Sequence, residues 1–404
     1  MDRPNNPENK TRPAARLREF LSLERNVTAA SSAVFLLGFG EELWKKFLPK
    51  YLEALGASTP VIGLFGTAED FFDAVYQYPG GWIADRFGRR RAFFCFIGLA
   101  CVGYLFYLFG PTWPFAFAGL AFAMAWSSMA SPAIFGVIGD SLPTEKRAMG
   151  FTIQSILKRL PIVIAPVIGG VIIASRGIVG GVHIGLIITL ALVGLTALLI
   201  RLINIARVAH HETNIFGVWN FFQKGLKRLL ISDIFIRTCE GMADVFIILY
   251  VTNVLHVSMA RFGMLIAIHT VTTLLIYVPA AKAAERVGGR PFIIATFCAF
   301  ALYPLAIISA HDFTGLVIAF IIGGLREIGE PARKAMILDF AHPQVRARSV
   351  GLYYLIRSLA ITPAAAIGGL LWKVSSQTPF VLAGAFGVAG TFIFIATVRE
   401  QSVN

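Results

Sequence analysis

The sequence predicts an all-α membrane protein built from two related six-helix bundles, and its hydropathy and an internal repeat support that prediction. The chain has 404 residues, of which 56% are hydrophobic and only 15% are charged. A soluble protein of this length carries more charge on its surface. Long uncharged stretches, such as 179–200 and 291–310, approach the roughly 20 apolar residues that cross a bilayer.

Twelve predicted spans account for the apolar stretches, and the longest internal connection divides them into two sets. The first six lie at residues 28–52, 59–83, 91–110, 113–139, 149–173 and 180–202. The second six lie at residues 229–252, 259–282, 291–310, 314–338, 349–373 and 379–398. This division predicts an N-terminal segment, a first bundle, a linker, a second bundle and a tail, at residues 1–27, 28–202, 203–228, 229–398 and 399–404.

The two halves repeat at a nearly constant spacing. The residues that recur 200 positions later are, in pairs, Leu55 and Leu255, Ser58 and Ser258, Gly63 and Gly263, Asp85 and Glu285, and Gly88 and Gly288. A steady register over six spans predicts two parallel bundles, related by a pseudo-two-fold axis along the membrane normal.

The linker at 203–228 is predicted to form a helix on the cytoplasmic face of the membrane. Phe216, Trp219, Phe222 and Leu226 recur at helical spacing beside basic residues. This pattern is typical of helices that lie in the membrane interface. A weaker pattern of the same kind covers residues 13–25.

The distribution of basic residues predicts the topology. Arginines and lysines cluster in every second connection, which places both termini in the cytoplasm and the chain in the cell (inner) membrane. The net charge of +13 then serves insertion and attraction to anionic lipid, and it gives no support to nucleic-acid binding. The four cysteines fall inside apolar spans in no disulfide or zinc pattern. We expect a monomer in the lipid bilayer without a cofactor or a metal.

The connection after the second span resembles the signature that the major facilitator superfamily carries between helices 2 and 3. Its later copy resembles the decayed version between helices 8 and 9. The candidate gating residues are Gly81, Asp85, Arg86, Gly88, Arg89 and Arg90, with Glu285, Gly288 and Arg290 in the later copy. The resemblance implies a loop that stabilises the outward-facing state against helix 11. The alternative is that the arginines only set the topology.

The fifth span contains Ala165-Pro166-Val167-Ile168-Gly169-Gly170, which resembles the end of that family's antiporter motif. The match is partial, because Ala165 replaces a glycine and Pro161 and Thr152 occupy earlier glycine positions. The motif would imply efflux. The alternative is that its small residues let two helices pack closely.

Ionisable residues far from the helix ends are the candidate site. A charge at the bilayer centre costs at least about 2.5 kcal/mol, so each needs a partner or a watery cavity. The resemblance implies that helices 1, 4, 7 and 10 line a cavity, whereas helices 2, 5, 8 and 11 form the bundle interface. The candidates for substrate binding and proton coupling are Glu41, Glu42, Arg237, Glu240, Asp244, Arg326, Glu327 and Glu330. The candidates at the bundle interface are Glu69, Asp70, Asp73, Lys158, Arg159 and Arg357.

One alternative reading and one geometric limit apply to these candidates. They could be structural ion pairs, because buried pairs often stabilise little and can be replaced by apolar residues. In addition, Glu41 and Glu42 are adjacent on a helix and point about 100° apart, so at most one of them faces a given direction.

These observations predict a secondary active transporter that moves a small organic solute by alternating access, with proton-coupled efflux as the first hypothesis. A phosphate-binding loop pattern is absent from the sequence, so the coupling ion is expected to be a proton, or less readily sodium. One alternative is lipid or surfactant translocation. Another is proton-coupled uptake of a small organic anion, suggested by four basic residues: Lys158, Arg159, Arg326 and Arg357. An enzyme is not expected, since the sequence has no Gly-x-Ser-x-Gly or His-Glu-x-x-His pattern.

Overall fold

The structure is a computed structural model that describes residues 24–141, 144–201, 224–340 and 346–398. Throughout these ranges the regular elements are helices. Each of the twelve predicted spans corresponds to one helix or to one set of consecutive helical segments. The first bundle contains α1 (Arg25–Glu42, Lys45–Phe47 and Leu48–Ala54), α2 (Thr59–Phe87), α3 (Arg89–Phe109), α4 (Trp113–Met124, Ala125–Met129 and Ala130–Ser141), α5 (Thr144–Arg176) and α6 (Ile178–Ile200). The second contains α7 (Lys224–Leu249 and Tyr250–Val254), α8 (Met259–Val287), α9 (Arg290–Ser309), α10 (Phe313–Gly324, Leu325–Glu327 and Glu330–Phe340), α11 (Arg346–Ile361 and Ala364–Trp372) and α12 (Thr378–Thr397).

Seven of the described helices are long and apolar enough to cross a membrane by length and composition alone: α3, α5, α6, α8, α9, α11 and α12. The other five are divided into shorter segments or carry several charges in their interior: α1, α2, α4, α7 and α10. The described helices therefore include a mainly apolar set and a second set that is interrupted or carries several charges.

The second bundle begins earlier than the sequence indicates. Residues 224–228 already belong to helix α7, whose described part begins at Lys224. Leu226 is fully buried in an apolar cluster that includes Phe340, and this burial explains the extension. The rest of the predicted interfacial helix, with Phe216, Trp219 and Phe222, lies outside the described residues, as does most of segment 13–25.

The 200-residue repeat is visible in the backbone. Helices α2 and α8 both end at a glycine in the left-handed region, with φ of 87° at Gly88 and 89° at Gly288. At the opposite end of the molecule, Gly56 has φ of 85° and His256 has φ of 53°. We call the end with the turns at 88 and 288 the motif end. The end with the connections 55–58 and 255–258, which is predicted to face outside, is the loop end.

The two bundles meet along two helix pairs, α2 with α11 and α5 with α8. A Cβ atom on Gly63 of α2 would lie 2.4 Å from the carbonyl oxygen of Ala365 on α11. A Cβ atom on Gly263 of α8 would lie 2.2 Å from the carbonyl oxygen of Pro166 on α5. Both distances are shorter than a carbon–oxygen contact allows, so the two interfaces require glycine at these repeated positions.

The glycine pair of α5 packs two neighbouring helices at once. A Cβ atom on Gly169 would lie 1.9 Å from the carbonyl oxygen of Leu43 on α1, and one on Gly170 would lie 2.5 Å from that of Met259 on α8. Gly169 therefore holds α5 inside the first bundle, whereas Gly170 joins it to the second. Close packing accounts for this glycine pair.

Helix α11 repeats this arrangement. A Cβ atom on Gly368 would lie 2.4 Å from the carbonyl oxygen of Met242 on α7, and one on Gly369 would lie 2.7 Å from that of Thr59 on α2. The rings of Phe47 and Phe262 also meet across the interface, with centroids 6.0 Å apart. These contacts lie toward the loop end, where the two bundles are closely packed.

The left-handed conformation of His256 predicts a stabilising substitution. A side chain in this region strains the backbone by about 1–3 kcal/mol, whereas the equivalent position of the first half is Gly56. We expect His256→Gly to raise the free energy of unfolding, because glycine adopts this conformation without strain. The net gain is about 0.5–1 kcal/mol, since the greater entropy of glycine in the unfolded chain offsets part of the relieved strain. The measurement is thermal unfolding of the purified protein in detergent. Gly56→Ala is the control and should lower the unfolding temperature; a lower temperature for His256→Gly would contradict the account.

Candidate functional site

A cavity of about 680 Å³ lies between the two bundles. Its apolar wall includes Phe65, Phe262, Phe320 and several isoleucines. Its charged and titratable lining consists of Lys45, Lys46, Glu69, Lys158, Arg159, Glu240, Asp244, His269, Arg326 and Glu327. A volume of this size suits a small organic molecule.

Departures from α-helical geometry occur where polar residues reach this region. Lys45–Phe47 forms a 3₁₀ turn in α1, and Leu325–Glu327 forms another in α10. Helix α4 contains a π-helical turn at Ala125–Met129, 200 residues before the break in α10. Such turns change the direction of side chains along a helix and often occur at functional sites. Here they orient Lys45, Lys46, Arg326 and Glu327 into the cavity lining.

Arg326 is the centre of the charged cluster in the second bundle. Its Nη1 atom lies 3.2 Å from Asp244 Oδ1 and 3.5 Å from Glu240 Oε1. Its guanidinium faces the ring of Tyr303, with 4.6 Å from Cζ to the ring centroid. Its Nη2 atom lies 3.4 Å from His269 Nε2. Because a guanidinium only donates hydrogen bonds, Nε2 is the acceptor, and the ring proton of His269 is on Nδ1.

The ion pairs continue from Glu240 away from the cavity. Arg237 Nη1 donates to Glu240 Oε2 at 2.7 Å, and Arg237 Nη2 lies 3.4 Å from Glu330 Oε2. Arg333 then donates to Glu330 Oε1 at 2.7 Å and to Asp233 Oδ2 at 2.6 Å. The side chains of Arg333 and Asp233 are only 2% and 1% exposed. This pair is therefore almost fully withdrawn from solvent.

Asp233 ends the series on α7. It accepts a hydrogen bond from the Tyr353 hydroxyl at 3.0 Å, and Arg357 Nη1 lies 3.4 Å from its Oδ2 atom. The resulting ion-pair chain, as we call it, alternates acids and bases in the order Asp244, Arg326, Glu240, Arg237, Glu330, Arg333, Asp233 and Arg357. It joins α7, α10 and α11 by four acids and four bases, so its formal charge is balanced.

Sequence reasoning missed Asp233, Arg333 and Tyr353 as members of this site. Asp233 lies close to the predicted start of its span, where charges are ordinary. The signal that could have found it is spacing, because residues 233, 237, 240 and 244 recur at four, three and four positions along one face of α7.

The first bundle holds its acids by other contacts. Lys45 Nζ lies 3.3 Å from Glu69 Oε1. The Tyr104 hydroxyl donates to Glu41 Oε1 at 2.6 Å, so Glu41 faces α3 and is not among the residues that line the cavity. Within the part of the chain that the structure describes, the buried Oε2 atom of Glu42 has no hydrogen-bond partner.

Two residues of α2 that were predicted at the bundle interface have different surroundings, Asp73 within the first bundle and Asp70 toward the second. Asp73 Oδ1 accepts a hydrogen bond from the Ser128 hydroxyl at 2.7 Å. Asp70 faces α7 of the other bundle, where a Cβ atom on Gly241 would lie 3.9 Å from its Oδ2 atom. The described residues provide Asp70 with no hydrogen bond or ion pair. It differs in this respect from the acids of the ion-pair chain.

Helix α5 places two basic residues in the cavity. Arg159 Nη2 lies 3.7 Å from Glu327 Oε2 of the other bundle, and the guanidinium lies 5.3 Å from the ring centroid of Tyr277. Lys158 is exposed to the cavity. Arg159 therefore forms a polar contact between the bundles, whereas Lys158 has no carboxylate partner within 4.0 Å among the described residues.

A polar contact that the sequence did not indicate lies at the loop end. Asn253 Nδ2 donates to Glu53 Oε1 at 2.6 Å, and Lys50 hydrogen-bonds both side chains. Lys50 and Glu53 end α1, whereas Asn253 belongs to the last turn of α7. We call these three residues the loop-end contact, and together with the packed glycines they join the two bundles at this end.

The gating candidates lie at the motif end. Gly81 lies within α2, Gly88 and Gly288 form the left-handed turns, and Arg89 and Arg90 begin α3. Arg86 lies 5.0 Å from the ring centroid of Trp82, and Arg290 Nη2 donates to the carbonyl oxygen of Ile395 at 2.8 Å. The side chains of Asp85 and Glu285 lie outside the described part of the structure, so their gating role stays a prediction. Within the described ranges, no group of three or more His, Cys, Asp or Glu residues could hold a metal ion.

Comparisons with known proteins agree with this architecture. The sequence profile of the Major Facilitator Superfamily matches residues 30–225 and 229–404. An uncharacterized MFS-type transporter of Methanocaldococcus jannaschii is 20% identical over 389 residues, which is 92% of this chain and 95% of that protein. The quinolone resistance protein NorA of Staphylococcus aureus is 23% identical over 139 residues, about a third of either chain (34% and 36%).

Solved transporter structures share the fold. The nucleoside transporter NupG aligns with a TM-score of 0.75 at 14% identity, over 93% of this chain and 99% of that one. A POT family transporter in complex with 5-aminolevulinic acid aligns with a TM-score of 0.75 at 13% identity, over 92% and 95%. A bacterial homologue of the human lysosomal transporter Spinster, in an inward-facing and unoccupied conformation, aligns with a TM-score of 0.67 at 16% identity, over 95% and 99%. At these identities the likeness concerns the fold.

The buried pair of Arg333 and Asp233 predicts a large loss of stability when one partner is removed. Arg333→Gln leaves a buried carboxylate with fewer partners, so we expect the free energy of unfolding to fall by about 3 kcal/mol. The measurement is unfolding in mixed micelles of increasing SDS content. Lys334→Gln is the matched control: this neighbouring side chain is 54% exposed, and its pair with Glu330 at 3.5 Å contributes at most about 0.5 kcal/mol. Equal effects of the two variants would show that the chain does not stabilise the bundle.

Proposed function

Because the chain belongs to the major facilitator superfamily, and its relatives are transporters rather than enzymes, we propose that it exports a small organic solute in exchange for protons by alternating access. The observation that carries this proposal is the cavity between the bundles, which is lined by charged groups, while the bundles are in contact at the loop end. A cavity at the junction of two related bundles is where transporters of this architecture bind their solute.

Alternating access requires contacts that can close one end and then release it. The loop end is held by glycine contacts and by the polar groups of the loop-end contact, which can separate without breaking a covalent bond. Inside the second bundle, by contrast, the ion-pair chain joins α7, α10 and α11. This difference supports movement of whole bundles, with the present state closed at the loop end.

One observation supports the efflux direction, the similarity of 139 residues to the quinolone resistance protein NorA. The likeness of the segment Ala165 to Gly170 to the family's antiporter motif adds no support, because close packing accounts for its glycine pair. Efflux driven by a proton gradient further requires a group that changes its charge as the bundles move.

We assign proton coupling to Asp70. The carboxylates of the cavity and of the ion-pair chain each have a basic partner within 4.0 Å. Asp70 has none among the described residues, and the charged neighbours that act on it most strongly are acids: Glu69, Asp73, Glu240 and Asp244. An isolated carboxylate inside a membrane is most stable when it holds a proton. Parting of α2 from α7 would expose Asp70 to water and let it release that proton.

Proteoliposomes with an acidic lumen test this assignment. Wild-type protein should accumulate at least one member of a panel of organic anions, cations and neutral solutes that includes norfloxacin, and nigericin should abolish the accumulation. Asp70→Asn should lose accumulation but keep solute exchange without a gradient, because only the proton step is removed. Asp312→Asn is the matched control, since this exposed residue caps α10 and asparagine caps equally well.

The outcomes separate the two parts of the proposal. Gradient-driven accumulation by Asp70→Asn would remove Asp70 as the proton carrier while leaving the transport function intact. If no solute of the panel responds to the pH gradient in the wild-type protein, proton-coupled efflux is wrong.

The repeated glycines predict a second effect on transport. In the double variant Gly63→Ala with Gly263→Ala, each new Cβ atom meets a backbone oxygen at 2.4 or 2.2 Å, so the loop end cannot close as observed. Overpacking of this kind costs about 1–3 kcal/mol, and we expect the initial transport rate to fall about tenfold or more. Gly98→Ala with Gly194→Ala is the matched control, because nothing lies within 4 Å of a Cβ atom at either position. Monodisperse elution shows that both variants fold, and equal rates would contradict the closure.

A further inference from the structure

The cavity contains more positive charge than its own acids compensate. Three of its five basic residues have partners in the structure: Lys45 with Glu69, Arg159 with Glu327, and Arg326 with Asp244 and Glu240. The two that remain are Lys46 and Lys158. Among the described residues, neither ammonium group has a carboxylate within 4.0 Å or a hydrogen bond.

Two of the acids that act on these lysines from beyond 4.0 Å already have other contacts. One is Asp73, which acts on Lys158 and accepts a hydrogen bond from Ser128. The other is Asp244, which interacts with Lys46 and is held by Arg326. Glu42, whose Oε2 atom has no hydrogen-bond partner among the described residues, also acts on Lys158 from beyond 4.0 Å. The scaffold therefore leaves two ammonium groups available to a ligand.

Both lysines are exposed and line the same cavity from the first bundle. Lys46 lies on the 3₁₀ turn of α1, and Lys158 lies on α5. A cation inside a membrane protein requires either water or an anion. An ammonium group has three donors and binds carboxylates and phosphates as a point charge. Gln154 and Ser131 add neutral polar groups to the same lining.

The opposite wall differs in character. Apart from the charges held around Arg326, the second bundle contributes Phe262, Phe320 and Ile266, together with other aliphatic side chains. A ligand in this cavity therefore meets positive charge on one side and an aromatic or aliphatic surface on the other. That pairing suits a molecule with an acidic head and an apolar body.

We propose that the transported solute is an amphiphilic organic anion, whose carboxylate or phosphate binds between Lys46 and Lys158 and whose apolar body packs on Phe262 and Phe320. This inference rests on the proposed transport function and names the solute class of the same cavity. It also replaces the basic residues that the sequence suggested for an anion: Arg159, Arg326 and Arg357 are each paired with an acid, and only Lys158 of that set remains.

The test uses three probes with one skeleton: 2-naphthoate, 2-naphthyl phosphate and the neutral 2-naphthamide. Binding to the purified full-length protein is measured by isothermal titration calorimetry. At least one anion should bind about tenfold or more tightly than the amide, since a hydrogen bond to a charged group contributes about 1.5–3 kcal/mol. The two anions distinguish a carboxylate site from a phosphate site.

Substitutions then locate the head group. Lys46→Gln and Lys158→Gln should each weaken binding of the preferred anion about tenfold and leave the amide unchanged. Lys46→Arg and Lys158→Arg retain the charge and should retain most of the affinity. Lys373→Gln removes the same charge from an exposed position at the loop end and should have no effect.

Three results would overturn the proposal: no binding of either anion, equal binding of the amide, or unchanged affinity in both glutamine variants. The transport proposal fails separately. If the anions bind in this way but are not accumulated under a pH gradient, the ligand class stands and gradient-driven transport of these anions is wrong. If neutral solutes are accumulated without selectivity for anions, transport stands and the anionic class is wrong.

Discussion

An ionised side chain inside a membrane must be compensated, and this constraint organises the interior of the protein. The cost of an isolated charge in hydrocarbon is several kcal/mol, more than most single contacts contribute. The ion-pair chain meets this constraint by alternating acids with bases from Asp244 to Arg357. Because the chain crosses three helices, it also favours their movement as one body. Asp70, Lys46 and Lys158 lie outside this chain and have no partner of opposite charge within 4.0 Å among the described residues, and they are the groups to which we assign transport.

The contacts between the bundles have a different basis. Here uncharged glycine positions allow the facing helices to approach closely. Glycines at equivalent positions bring α2 against α11 and α5 against α8, and each interface places a glycine against a backbone carbonyl. Such contacts depend on shape, so under the proposed alternating access they would be lost when the bundles tilt and would form again when the bundles return. Polar groups add to them at the loop end, where Asn253 meets Glu53 at positions 53 and 253 of the repeat. The pseudo-symmetry thus supplies two similar surfaces that can part together.

The sequence predicted much of this architecture because hydropathy and repeat spacing are local properties. The span positions and the left-handed turns at Gly88 and Gly288 agree with the structure. The partners of the charges were not predictable, because they depend on how each helix is rotated about its axis. Glu41 was a cavity candidate but faces Tyr104 on α3.

Other features of the site depend on details that no hydropathy pattern contains. The short 3₁₀ turn that carries Lys46 and the break in α10 at Arg326 reorient side chains locally. The deep burial of Asp233 follows from its contacts with Arg333 on α10 and with Tyr353 and Arg357 on α11. Asn253 gave no signal, since an isolated amide near a helix end is ordinary.

The central claim is that the bundles open the two ends of the cavity in alternation, and distances between spin labels test it most directly. One pair, on Phe87 and Val287, spans the bundles at the motif end, and another, on Arg176 and Lys373, spans them at the loop end; all four positions are exposed. Labels are attached to introduced cysteines after removal of the four native ones, and distances are measured by double electron–electron resonance in lipid nanodiscs at acidic and alkaline pH. The account predicts that a change of pH populates a state in which the loop-end distance lengthens while the motif-end distance shortens. Distances that stay fixed at both ends, or that lengthen and shorten together, would contradict it.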